Sequence, residues 1–443
     1  MTIPLPHPKK MKTIKVIGAG LAGCEAAYYL SKKGFKVELY DIKPNGFTPA
    51  HSNTDFGELV CSNSLKGADA YSNACGLLKQ EMRLIGSITM QAAEYAKIPA
   101  GGALAVDRDK FASYITQAIK SEENITCICE EIKTLPEEPC IIATGPLTCQ
   151  ALASDIISRF GGSLHFYDAS APIVSKESVD MNFAFFGDRY GKGGDDYLNC
   201  PMNKEEYLNF VTELLGAERA TLHSFEKREI FEGCMPVEVM AARGAETLRF
   251  GPFKPVGLWD KDGNRFYAVL QLRKENLNGD MYNLVGCQTN LKFGEQKRVF
   301  SLIPALKNAE FLRYGVMHRN TYLNSPEILN ADFSCKNSPL TYFAGQITGV
   351  EGYVESASSG LLAAVHMARK LDNKKAIIPP LDTVCGALSA HISGANENFQ
   401  PMNANYGVLP AIENPPRDKK LRYRLLSERA LSSMEGYVKA IRE

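Results

Sequence analysis

Apolar and polar positions fall into blocks along this chain, and the first block is the most regular. Ile14-Lys15-Val16-Ile17 reads as a short buried strand and GAGLAG (residues 18–23) as a glycine turn. CEAAYYLSKKG reads as an Ala-rich helix ending at Gly34, and KVELYD as a second strand closing on Asp41. The rhythm returns in PCIIATGPLT (139–148), an apolar strand running into Ala143-Thr144-Gly145. It returns again in LTYFAGQITGVEGYVESASSGLLAAVHMARKL (340–371), a strand, a glycine-rich turn and a helix. Between about 175 and 335 it is lost. A helical period runs from about Lys204 through KEEYLNFVTELLG, RFYAVLQLRKEN and DMYNLVGCQTNL alternate like strands, and FGEQKRVFSLIPAL turns helical. The pattern predicts an α/β chain with a flexible tail over 1–13. One domain, built around a parallel sheet, leaves at about 175 and returns at 336–443, interrupted by an α+β domain inserted over 176–335.

The glycine turn gives the first domain a chemistry. Gly18, Gly20 and Gly23 stand in GxGxxG spacing with Ala19, Leu21 and Ala22 between them. The first glycine permits the tight turn, the second lets the backbone approach a pyrophosphate, and the third lets helix and sheet pack closely. Asp41 stands at the end of the second strand, where a carboxylate accepts hydrogen bonds from a ribose diol. Alone, the unit does not separate FAD from NAD. Thr144 and Gly145, placed to lie beside an adenosine half, and Gly345 and Gly352, in the turn that opens a helix of small residues, favour FAD. A helix N-terminus there would face the end of a flavin where negative charge collects. The expected fold is therefore a Rossmann-like FAD-binding domain with an inserted domain that closes over the cofactor.

Composition narrows the function. Fifty Lys/Arg balance fifty Asp/Glu, so any nucleic-acid partner must use a local basic patch. Two stretches offer one. Residues 417–443 read as a helix with eight Lys/Arg against four acids, suited to RNA phosphates or simply to a solvated face. Residues 312–326 carry Arg313, His318, Arg319 and Tyr322 in what reads as a loop, suited to a single-stranded nucleotide or a glutamylated folate. The twelve cysteines include no CxxC, and neither HExxH nor GxSxG occurs. Zinc-ribbon, dithiol and serine-hydrolase chemistries are thereby set aside, and no metal site is expected. No run of eighteen apolar residues suggests a membrane span, and the first thirteen residues lack the apolar core of a signal peptide. The expectation is a cytoplasmic protein with reduced thiols.

Two cysteines are singled out by context. Cys234, in FEGCMPVEVMAARG, stands just before a helix that begins near Pro236 and stops at Gly244. Cys61, in GELVCSNSLKG, reads as a similar helix entry. Helix N-termini favour thiolate, although a small buried cysteine has the same local signature.

The blocks GAGLAG, TPAHSNTDFGELVCSNSL, GLLKQEMRLIGS, IPAGGALAVDR, FEGCMPVEVMAARG, LRFGPFKPVGL, VGCQTNLKFGEQKRVF and FAGQITGVEGYVESASSGLLAA resemble the bacterial folate- and FAD-dependent tRNA (uracil-5-)-methyltransferases. These TrmFO enzymes are relatives of the GidA/MnmG flavoproteins. The likeness runs from about residue 14 to about 415; Cys24 departs from it, standing where Ser or Ala is more usual. It implies that Cys61 adds to uracil C6 and Cys234 removes the C5 proton, with the reverse assignment open. It further implies 5,10-methylenetetrahydrofolate as carbon donor, NADH or NADPH as reductant, and no S-adenosylmethionine. The implied partner is tRNA at its T-loop, with no protein partner. Ribosomal RNA is the alternative substrate, and a flavin-stabilised RNA-binding or folding factor the alternative function. The larger GidA/MnmG type, with a helical C-terminal domain, is disfavoured by the shorter chain.

Overall fold

Six strands form the first sheet of the computed structural model, which describes residues 13–161, 163–189, 194, 196–220, 235–260, 262–396 and 399–443. They are β1 (Thr13–Ile17), β2 (Lys36–Asp41), β3 (Ile125–Cys129), β4 (Cys140–Ile142), β5 (Ser334–Cys335) and β6 (Ser338–Phe343), in spatial order β5-β6-β4-β1-β2-β3. All neighbours are parallel except β5 and β6. Val16 stands level with Leu39 on one side and Ile141 on the other, so β1, β2 and β4 end together and present their following turns at one edge. That edge, at the carboxyl ends of the strands, is where open α/β sheets bind ligands.

Helix α1 (Leu21–Lys32) follows β1 and α2 (Tyr353–Leu371) follows β6. The two cross closely because a side chain is missing where they meet: a Cβ on Gly360 would lie 2.1 Å from the Ala22 carbonyl oxygen. Ile14, Val16, Leu39 and Ile141 from the sheet, with Ala26 and Leu30 of α1 and Leu361 and Val365 of α2, form one hydrophobic core. The C-terminal helix α3 (Lys419–Arg442) adds Leu426, Ala430, Met434, Tyr437, Val438 and Ile441 to it, a stripe at helical spacing. From Leu426 onward one face of this basic helix is thus core, and Lys419 and Lys420 stand exposed in the turn before it.

A second core gathers residues between Val174 and Ala309 around an antiparallel sheet. Its strands run Phe185–Phe186, Tyr197–Met202, Ala268–Lys274, Met281–Leu284, Ile173–Ser175 and Phe311–Arg313 in spatial order. A separate pair, Ser163–Ala169 against Met317–Leu323, carries the chain out and back. The region read as a loop over 312–326 is therefore largely strand. Tyr322 is fully buried with its ring 6.0 Å from Phe399, and so is no surface base-stacking group. Its strand partner lies some 150 residues earlier, out of range of any local pattern. Among the described residues, no helix is long and apolar enough to cross a membrane.

Candidate active site

The turn after β1 has the stereochemistry its glycines forecast. Gly18 has φ +99°, and a Cβ there would lie 2.5 Å from the Ala143 carbonyl oxygen. A Cβ on Gly23 would lie 1.7 Å from the Gly18 carbonyl oxygen, so helix, turn and β4 fit only without side chains at both positions. Gly20 caps α1 and differs: nothing stands within 4 Å of its added Cβ, because it faces open space. No side chain caps α1 and no acid sits in its first turn. Its leading N–H groups are therefore left to an anion, as a dinucleotide pyrophosphate requires.

Asp41 braces this turn as well as facing the cavity. Its carboxylate accepts the Ala19 N–H at 2.7 Å and the Lys43 N–H at 2.9 Å. The cavity, about 390 Å³, is lined by Gly18, Ala19, Gly20, Leu21, Ala22, Asp41, Thr144, Gly145 and Gly345. Of the glycines singled out in the sequence, Gly23 stands behind Gly18 instead, and Gly352 caps α2 with φ +120° beside the Lys66–Glu355 ion pair.

Sequence reasoning missed the loop that closes one side. Lys43, almost wholly buried, donates to the Asn53 and Asp55 carbonyls at 3.0 and 2.5 Å and to Glu58 at 3.3 Å. Lys43, Glu58 and His51 all line the cavity. Burial, reinforced by the Lys43 charge, lowers the pKa of His51 below the usual imidazole value.

Cys61 lies beside this loop, half-buried, in a bend that leads into the strand Ser64–Gly67. The expected helix entry at Cys61 is thus corrected: the bend opens a strand, paired to Ala103–Val106, and no helix begins there. A helix terminus still reaches it from elsewhere. Tyr353, the first residue of α2, lines the cavity, and its hydroxyl accepts the Cys61 N–H at 2.6 Å and the Ser62 N–H at 3.2 Å. Burial, then the Cys61 charge, raises the Tyr353 phenol pKa, so it stays neutral.

Further groups hold the same bend. Arg108 donates to Leu59 O at 2.8 Å and grips Glu275 at 2.7 and 3.3 Å. Arg273 donates to Asn63 Oδ1 at 2.9 Å and to Ser62 Oγ at 2.8 Å. Asn63 in turn donates to Val106 O and Lys274 O. Arg313 reaches Ala50 O at 3.4 Å, between cavity residues Pro49 and His51. None of Tyr353, Arg108, Arg273 and Glu275 has a local sequence signal, because each acts across a long separation.

Cys234 lies outside the described residues. The helix after it, Val237–Ala242, is capped by Pro236, and Glu238 within it accepts Thr289 Oγ1 at 2.9 Å and the Asn290 N–H at 2.8 Å. Most other described cysteines are the small buried apolar kind: burial pushes Cys140 up to about 11 and drives Cys24, Cys287 and Cys385 far above the ordinary thiol value. Among the described residues no cluster of three or more His, Cys, Asp or Glu is arranged to hold a metal ion.

Comparison with known proteins agrees with this geometry. The family described as glucose inhibited division protein A, GIDA, matches residues 13–375. A methylenetetrahydrofolate–tRNA-(uracil-5-)-methyltransferase TrmFO from Acetivibrio thermocellus is 56% identical over 429 residues, 96% of this chain and 98% of the relative. Its namesake from Staphylococcus aureus is 53% identical over 434 residues, 97% of this chain and 100% of the relative. Aquifex aeolicus GidA, in two crystal forms, matches with TM-scores of 0.70 and 0.71 at 15% identity, covering 97% of this chain and 73% and 76% of those chains. That structural likeness bears on the fold alone, whereas identity above one half along almost the whole chain bears on descent: the chain belongs to the TrmFO family of GidA-related flavoproteins.

Proposed function

We propose that this chain is a folate- and FAD-dependent RNA (uracil-5-)-methyltransferase acting on a T-loop uridine of tRNA. Its carbon comes from 5,10-methylenetetrahydrofolate and its reducing equivalents from NADH or NADPH. The observation that carries the reading is the bond between the Tyr353 hydroxyl and the Cys61 N–H, which ties a half-buried thiol to a residue of the cavity wall. The names of the near-full-length relatives support the substrates.

Gly18–Gly23 and the α1 N–H groups would hold the pyrophosphate of FAD, Asp41 a ribose, Thr144 and Gly145 the adenosine half, and Gly345 the flavin end, with Gly352 outside the cavity wall. When bound, FAD supplies the electron pair, drawn from the nicotinamide, that brings a methylene carbon to the methyl level. The protein's own part is to make uracil C5 reactive. Cys61 thiolate adds to C6, and the pair displaced from the C5–C6 double bond makes C5 nucleophilic. After C5 takes the folate-derived carbon, Cys234 accepts the C5 proton and the Cys61–C6 bond breaks, returning the thiolate. Tyr353 and Arg108 keep the bend in place throughout. On α3, Lys419 and Lys420 are exposed and Arg422 half-exposed, and they are the proposed phosphate contacts. The protein is proposed to work in the cytoplasm.

The deciding experiment supplies the FAD-loaded enzyme with labelled methylenetetrahydrofolate, NAD(P)H and separate tRNA and ribosomal RNA transcripts. Label in 5-methyluridine of tRNA is the expected result. Label in ribosomal RNA only reassigns the substrate, and label in neither removes the enzyme assignment.

A further inference from the structure

Aromatic rings run from the inserted core to the surface in one chain of contacts. Phe253, Phe210 and Phe300 are fully buried and adjoin in that order, with centroids 5.4 and 6.0 Å apart. Phe300 meets Phe311 at 6.5 Å, and Phe311 lies against Tyr314 at 5.5 Å with the planes 2° apart. Tyr314 lies against Phe293 at 4.9 Å and 12°. The last three rings are thus a nearly parallel pile, in the offset geometry that aromatic rings favour. Its outermost member, Phe293, is 54% exposed.

Packing holds the pile in place. Phe293 opens the helix Phe293–Phe300, and Phe311 belongs to the edge strand Phe311–Arg313 of the inserted sheet. Gln296, fully buried on that helix, clamps the two segments. Its side chain donates to Leu291 O at 2.7 Å and Gly315 O at 2.8 Å, and accepts the Gly315 N–H at 2.8 Å. Arg313, next to Tyr314, reaches Ala50 O, between cavity residues Pro49 and His51, yet none of the three piled rings lines the cavity. A folate must deliver its carbon at the flavin, within the cavity, whereas an RNA extends past it. A uridine that offers its C6 to a thiol leaves its stack, and the bases beside it lose a partner. A flat, preorganised ring replaces that partner at little cost in entropy.

We infer that Phe293, backed by Tyr314 and Phe311, is the platform on which an unpaired base of the RNA substrate stacks. The inference rests on the reading that the substrate is RNA. Charge is secondary at this place: Lys292 pairs with Glu218, and Arg298 with Glu213 and Glu295. The platform therefore grips a base face, which every nucleotide has, rather than a run of phosphates.

The test is equilibrium binding of a tRNA T-arm hairpin to the FAD-loaded enzyme at several salt concentrations. Phe293→Ala is expected to weaken binding roughly fivefold or more. The slope of affinity against salt is expected to stay as in wild type, because no phosphate contact is lost. Phe293→Leu, apolar but not flat, is expected to bind as weakly as Phe293→Ala, and Phe293→Trp at least as tightly as wild type. The chain has one tryptophan, Trp259, so Phe293→Trp in a Trp259→Phe background reports the stack through quenching of indole fluorescence by RNA. Retained flavin absorbance shows that each variant is folded. Full affinity in Phe293→Leu would mark a general apolar contact and overturn the inference. So would a raised KM for methylenetetrahydrofolate in Phe293→Ala at unchanged RNA affinity, which gives the ring to folate. Wild type that binds neither tRNA nor ribosomal RNA hairpins would remove the proposed function and this inference together. Wild-type binding that Phe293→Ala leaves intact removes the inference alone.

Discussion

The Tyr353 hydroxyl, at the first residue of the helix Tyr353–Leu371, accepts the backbone N–H of Cys61 at 2.6 Å across 292 residues of sequence. One phenol thereby joins the wall of the candidate cofactor cavity to the backbone of the candidate nucleophile. Tyr353→Phe keeps the ring and removes that acceptor, stranding the N–H groups of Cys61 and Ser62. The expected loss is about 1–3 kcal/mol of stability, with FAD retained and the rate of RNA methylation lowered at least tenfold. Denaturation midpoints, flavin absorbance and 5-methyluridine yield check the three parts.

Cys61→Ser separates flavin chemistry from RNA chemistry. A serine hydroxyl is scarcely ionised near neutral pH and is a poor nucleophile without a base. The variant is expected to bind FAD and oxidise NAD(P)H at the wild-type rate while forming no 5-methyluridine. Full methylation by Cys61→Ser, with Cys234 intact, would hand the attacking role to the other cysteine.

Two glycines of one turn are expected to fail differently when changed to alanine. At Gly23 the new Cβ meets the Gly18 carbonyl oxygen at 1.7 Å, so Gly23→Ala is expected to lower the melting temperature and abolish FAD binding together. At Gly20 the Cβ meets nothing within 4 Å, so Gly20→Ala is expected to fold normally without cofactor and to bind FAD more weakly. Thermal melts of the cofactor-free proteins, followed by FAD titration, distinguish the two outcomes.

His366 gives an acid-side prediction. Burial lowers its pKa from 6.5 to about 4, and neither ring nitrogen has a hydrogen-bond partner among the described residues. The folded chain therefore binds fewer protons there than the unfolded chain, and stability is lost as pH falls from 6.5 through about 4. The full loss is about 3 kcal/mol for a shift of that size. His366→Leu removes both the slope and the unsatisfied nitrogens. It is expected to be more stable than wild type, with the gap widening toward acid, as read from urea midpoints at several pH values.

The basic start of the C-terminal helix is tested by salt. Replacing Lys419, Lys420 and Arg422 together by alanine is expected to weaken RNA binding and flatten its dependence on salt concentration by about 2–3 in logarithmic slope. Lys419 and Lys420 are exposed and Arg422 half-exposed in the turn that precedes Leu426, where the helix stripe first enters the core, so flavin content and NAD(P)H oxidation should stay unchanged. An unaltered slope would return this helix to the role of a solvated face.

What could be read from the residues alone was whatever is completed within some thirty positions. Strand, glycine turn, helix, strand and Asp41 form one local unit, and packing forbids side chains at two of its glycines. The expectation for 312–326 went astray for the converse reason: Met317–Leu323 is a strand only because Ser163–Ala169 pairs with it. Cys61 was marked by sequence as unusual but assigned a helix entry, since a short polar bend looks alike before a helix or a strand.

Sequence by itself therefore determined the fold class and the glycine turn that opens the first helix, because short-range sterics and periodicity encode them. Only the tertiary structure decided what surrounds Cys61: a phenol from one helix, a forked arginine from the inserted sheet, and an Arg108–Glu275 pair joining the two units. Partners that meet through space, hundreds of residues apart, leave no periodic trace in the chain, and it is they that hold the bend on which the sulfur sits.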